Sequence, residues 1–291
     1  MKKLLALPAV LLLSGCTVMD VVGPRANGEI MALAKQASAD WVFGSDDTPE
    51  WREMRKFHSE QLKDEALRLC GVDEAGKTPS TCNVGYEDTD LPAAAAPEEL
   101  LDSTVAAAKK VPDESVDLVV AQAIDAVALA PVELPADPAR LSGQADIDAA
   151  RAMLAQENAL YYGLGLALAY ADDGLRGRIR VLREASHERV SVLTTLVDDP
   201  RLPGDVGAGA GAEDGAEDAA AEDAAAEALV PAAGYKFTEG FQEPTSLPEA
   251  THLVKTMQSD LVKQWRRTAA DASSADWMRA AILLAAHAQR A

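Results

Sequence analysis

One run of the chain constrains its fold more than any other. Ile147, Ala150, Leu154, Glu157, Tyr161, Leu164, Leu168 and Ala171 follow one another at spacings of 3, 4, 3, 4, 3, 4 and 3. That alternation keeps one face of an α-helix apolar over four heptads and fits no strand, where the period is two. A second helix is predicted from Leu175 through Ile179, Leu182, Ser186, Val190 and Leu193 to Val197, with Gly174 ending the first and Asp198-Asp199-Pro200 ending the second. The connection between them is very short, so the two are expected to pair antiparallel.

Helical signals continue on both sides, and no alternating strand pattern stands out. Ile30, Leu33, Ala34, Ala37 and Trp41 share a face; Thr48-Pro49-Glu50 opens a helix carrying Trp51, Met54, His58, Leu62, Glu65 and Leu69. Further helices are expected from Pro97-Glu98-Glu99 and from Pro112-Asp113-Glu114. Ser246-Leu247-Pro248-Glu249 has the pattern of a capping box and leads a helix through Leu253, Met257, Leu261 and Trp265. A last helix starts near Ser274 and presents Trp277, Ala281, Leu284 and His287. The predicted class is all-α.

The N-terminus reads as an export signal: Lys2 and Lys3, an apolar run from Leu4 to Leu13, then small residues. The run is about half the length a spanning helix needs. Leu13-Ser14-Gly15-Cys16 resembles the lipobox of bacterial prolipoproteins, which implies cleavage before Cys16, diacylglycerol on its thiol and attachment to the outer face of the cell membrane. Several acyl chains hold far better than one. The expected organisation is a signal at 1–15, a tether at 16–27, a helical region at 28–131, a proline-rich linker at 132–143 and a bundle at 144–291.

Cleavage would leave 276 residues and take the net charge from −20 to −22. So acidic a chain is repelled by phosphate backbones, which removes nucleic acid as a partner. Eight of the carboxylates lie between Asp205 and Glu227, a Gly/Ala-rich stretch without Lys, Arg or a large apolar side chain. It cannot bury enough surface to offset chain entropy, so 205–229 is expected to be a disordered acidic loop. The three cysteines fit export arithmetically: Cys16 for lipid, and Cys70 with Cys82 for a disulfide across a turn-rich dozen residues, stabilising by about 3 kcal/mol.

The C-terminal half also resembles a family. Gln156 to Gly163 (QENALYYG), Ala232-Ala233-Gly234-Tyr235 leading to Pro244, and the Met257 to Trp265 helix are similar to an uncharacterised actinobacterial ferritin-like domain family, often found in lipoproteins. The resemblance covers a little under half the chain. It implies an up-down four-helix bundle with a loop between its second and third helices, and carries no activity across.

Di-metal members of the ferritin-like fold supply a Glu from each of two helices and a Glu-x-x-His from each of the other two. Here only fragments are found. Glu157 lies in an apolar stripe and needs a partner there. Glu184 and His187 have the right spacing, but the helical wheel turns Glu184 to water. Asp260 or Gln264 stands in for the third-helix carboxylate, and His287 sits beside Leu284. Glu157, His187, Asp260 and His287 are thus the metal candidates, and they carry too little negative charge for two hard cations. No nucleophile elbow, phosphate loop, dinucleotide fingerprint or zinc-protease motif occurs. The residues favour a non-enzymatic envelope module that needs no cofactor and binds a protein or wall component. A ferritin-like metal-binding protein or oxidase with a reduced site is the alternative, and a carrier of an apolar ligand between Ala-rich helices is a third reading.

Overall fold

The computed structural model describes residues 23–44, 49–85, 97–198 and 243–291. The expected signal at 1–15, Cys16 and the acidic stretch lie outside them. Among the described residues all regular structure is helical: α1 Gly28–Phe43, α2 Pro49–Cys70, α3 Pro97–Ala108, α4 Asp113–Val127, α5 Gln144–Leu168, α6 Asp173–Val197, α7 Leu247–Ala270 and α8 Ala275–Arg290. None of these helices is long and apolar enough to cross a membrane. The chain forms two compact units, Met1–Ala93 and Ala94–Ala291.

In the first unit α1 packs against α2. Asn27 caps α1 by accepting from the backbone N–H groups of Glu29 and Ile30, both at 3.1 Å. The buried line of α2 is Trp51, Arg55, His58, Leu62, Ala66 and Cys70. It takes Arg55 inside where the apolar pattern placed Met54. Gly71 ends α2 with φ +70°, a left-handed conformation that only glycine adopts without strain. The turn that follows is tied by Asp73 Oδ1, which accepts from the N–H groups of Ala75 and Lys77, and brings Cys82 back to Cys70 in a disulfide.

The second unit begins before the proline-rich segment, so the division falls at 93/94 and not in 132–143. The reason is apolar burial. Leu101 and Val105 of α3, Val120, Ile124 and Val127 of α4, and Leu141 belong to the same hydrophobic core as α5 to α8. Polar ties agree: Asp125 of α4 accepts from Arg266 of α7 and from Gln289 of α8, and Arg290 donates to the carbonyls of Ala128 and Leu129. Proline content marks a break in helix, and here the break is a strap laid across one core.

Helices α5 to α8 close a ring in which α5 packs on α6 and α7, and α8 on α7 and α6. Their directions follow from cross-contacts. Asp146 at the start of α5 accepts from the N–H groups of Ser273 and Ser274, just past α7; Glu157 meets Trp265; and a Cβ on Gly163 would stand 2.3 Å from Met257 Sδ. Numbers rise along α5 as they fall along α7, so the two are antiparallel. The short α5–α6 and α7–α8 connections make each of those pairs antiparallel as well. Hence α6 runs parallel to α7, and the order is up-down-down-up. This corrects the simple up-down alternation expected from sequence: α6 ends at Val197 and α7 starts at Leu247, at opposite ends of the bundle.

Three local expectations also change. Tyr161 and Leu168 are exposed while Leu160, Gly163, Leu164 and Ala167 face the core. The missing side chain at Gly163 lets α7 approach and turns that face inward, and Tyr161 lies at the rim beneath the Arg183 guanidinium, 3.9 Å from its ring centre. Gly174 falls inside α6, whose cap is Asp172, accepting from Leu175 N–H at 2.8 Å. At α7, Glu249 reaches past Ser246 to accept from Thr245 N–H and Oγ–H, at 2.7 and 2.8 Å, and those bonds hold its carboxyl below the usual range.

Candidate functional site

Glu157 is the centre of the second unit. It stands mid-way along α5 with no solvent exposure, and all three neighbouring helices of the ring reach toward it or its partner. From α6, Arg189 Nε donates to Glu157 Oε1 at 2.6 Å and Nη2 to Oε2 at 3.0 Å, while Ser186 Oγ donates to Oε2 at 2.7 Å. From α7, Trp265 Nε1 donates to Oε1 at 2.9 Å. Four donors therefore occupy the carboxylate, which is about the number an ionised carboxylate accepts. Its bond to arginine is two-pronged, the geometry in which guanidinium and carboxylate match best.

Arginine links this core to the surface through α8. Arg189 Nη1 lies 3.1 Å from His287 Nδ1, and His287 Nε2 lies 2.9 Å from Glu188 Oε2. Since the guanidinium can only donate, Nδ1 accepts and the ring proton sits on Nε2, directed at Glu188. Burial, then the Arg189 charge, lowers the His287 pKa; Glu188 and Glu157 act the other way without reversing it.

The four residues singled out as metal candidates are not brought together. Glu157 is spent on its donors. His287 faces Arg189. His187 is exposed on α6, and Asp260 is exposed on α7 with Lys263 Nζ at 3.0 Å. Glu184 is exposed, as the wheel required. Among the described residues no group of three or more His, Cys, Asp or Glu side chains is placed to hold a metal ion.

The first unit repeats the chemistry on a smaller frame. Arg55 Nε donates to Asp40 Oδ2 at 2.7 Å, and Arg55 Nη1 lies 3.1 Å from His58 Nδ1, all three side chains being buried. Burial, and then the neighbouring Arg55 charge, pushes the His58 pKa down to about 3. Arg55 is itself lowered from its ordinary value by burial, against the pull of Asp40.

A pH dependence follows. Each histidine binds a proton less readily folded than unfolded, so the unfolded chain takes up more protons as pH falls below about 6.5 and stability drops with it. For His58 the loss runs from about 6.5 toward 3, at up to about 1.4 kcal/mol per pH unit. Urea unfolding between pH 7 and 4.5 should show the midpoint falling, with a shallower fall in His58→Gln.

Its place on an apolar stripe leads one to expect that Glu157 bonds Tyr161, His287 or an arginine of the bundle, and an arginine does so; which arginine was not read from the sequence, although a signal exists. Leu182, Ser186, Arg189, Leu193 and Leu196 are spaced 4, 3, 4 and 3, so Arg189 lies on the apolar line of α6, where Val190 had been placed. Arg55 lies likewise four residues after Trp51 and three before His58. A cation on such a line needs an anion on a facing helix, and Glu157 and Asp40 are those anions. Comparison with known proteins finds no matching family model, no similar curated protein and no similar solved structure.

Proposed function

We propose that the chain is an extracytoplasmic lipoprotein, anchored through Cys16, whose second unit is a ferritin-like bundle with an ion pair where di-metal members hold metal. It serves as a binding module for an envelope protein or wall component and not as an oxidase. The observation that carries this reading is the occupancy of Glu157: a carboxylate with four donors on it has no lone pair to offer a cation. The ferritin-like assignment is supported by the parallel α6 and α7 joined by one long connection, the arrangement of that fold. It is further supported by contact between two of the resembling stretches, since Glu157 and Trp265 are hydrogen-bonded.

The test uses cell fractions. Wild-type protein should partition with membranes and contain well under one equivalent of iron, manganese or zinc, and Cys16→Ser should leave the membrane fraction or accumulate unprocessed. Wild-type fractionation by Cys16→Ser would remove the anchor. About two metal ions per chain, lost in Glu157→Ala, would replace the binding module by the metalloprotein alternative.

A further inference from the structure

A recess of about 470 Å³ opens between α6 and α7, beside the last turn of α8. Its volume falls in the range of small-molecule sites. The floor is apolar, made by the buried Leu182 and Val254 and flanked by Leu175 and Val262. Around it stand Arg178, Lys255, Lys263 and Arg266, and no carboxylate side chain of the described residues lines it, although the chain carries a net charge of −20. This local reversal of sign is the first mark of an anion site.

Polar atoms at the wall supply the second. Gln258 Nε2 donates to the Ala288 carbonyl at 2.6 Å, leaving its Oε1 buried without a partner. Arg266 Nη2 donates to Asp125 and to Gln289 Oε1, leaving Nε buried without one. Buried polar atoms are ordinarily paired, so the unmatched Arg266 Nε–H beneath this wall adds to the pull of the recess on an acceptor such as a carboxylate. Arg178 donates to the Ala291 backbone oxygen and Lys263 pairs with Asp260, while no described carboxylate holds Lys255, which is exposed at the rim.

We propose that this recess binds a free single-chain organic acid. Its carboxylate lies among Arg178, Lys255 and Arg266, and its hydrocarbon tail covers Leu182 and Val254. The apolar floor argues against a bare inorganic anion, and the cationic rim against a neutral or cationic amphiphile. This binding is independent of the lipid anchor, so its failure and the failure of the anchor are read in separate experiments.

Isothermal titration of the full chain carrying Cys16→Ser, which removes any acyl chain of its own, uses decanoate, acetate and decyltrimethylammonium as probes. One saturable decanoate site is expected, at least about tenfold tighter than either of the other two, since each lacks one half of the recognition. Lys255→Glu should weaken it about tenfold without moving the melting midpoint, because Lys255 is exposed. Ser259→Trp, at another exposed lining position, should block it by filling the recess. Absence of saturable decanoate binding, equal affinity for all three probes, or indifference to Lys255→Glu would overturn the proposal. So would decanoate binding only after deletion of 205–229, which would assign the recess to the chain's own acidic segment. Binding of phosphatidylglycerol vesicles that decanoate does not displace would assign it to membrane lipid and overturn the proposal as well.

Discussion

Replacing Arg189 with methionine should destabilise the Ala94–Ala291 unit by about 3–5 kcal/mol, the cost of leaving a buried carboxylate without its cation. At about 2–4 °C per kcal/mol for a unit of this size, the melting midpoint should fall by roughly 10 °C. The size of the effect comes from what remains: Glu157 has no route to water and keeps only Ser186 and Trp265 as donors. An apolar pair should behave differently. Glu157→Leu combined with Arg189→Met removes both charges, and packed hydrocarbon often replaces a buried ion pair with little loss. The double variant should therefore recover more than half of the deficit, a non-additivity that thermal unfolding of Arg189→Met, Glu157→Leu and the double variant measures directly. Simple addition of the single-site losses would mean that Glu157 and Arg189 do not act as a pair.

Trp265→Ala should have an effect of the same order, about 3–5 kcal/mol in chemical denaturation, because the indole is fully buried. It packs 6.5 Å, centre to centre, from the Trp277 ring at a tilt, and it holds Glu157 Oε1. Trp265→Phe separates the two roles. It keeps most of the volume and loses the Nε1 donor, so its cost should be smaller, about 1–3 kcal/mol. A Phe variant as unstable as the Ala variant would place the whole contribution in the hydrogen bond.

Sequence alone determined the helices, because helix formation is a local matter of period and caps. The starts at Pro97, near Pro112 and near Ser274 are where the pattern put them, and the structure adds that Ser274 caps the last helix by accepting from Trp277 N–H. It also determined the Cys70–Cys82 bridge, since twelve residues of turn-forming sequence leave little choice of partner, and the burial of Glu157 on an apolar line. What it did not determine is whatever depends on which faces meet. A 3.6-residue period leaves the choice between Tyr161 and Leu160, or Val190 and Arg189, to the neighbouring helix; Gly163 and the approach of α7 made the first choice, and the charge on Glu157 made the second. The pairing of α3 and α4 with α7 and α8, and the parallel run of α6 and α7, belong to long-range burial that no local pattern encodes. The tertiary structure alone brought Glu157, Ser186, Arg189, Trp265 and His287 from four helices to one point, where a carboxylate that resembled a metal ligand is filled by donors of the chain itself.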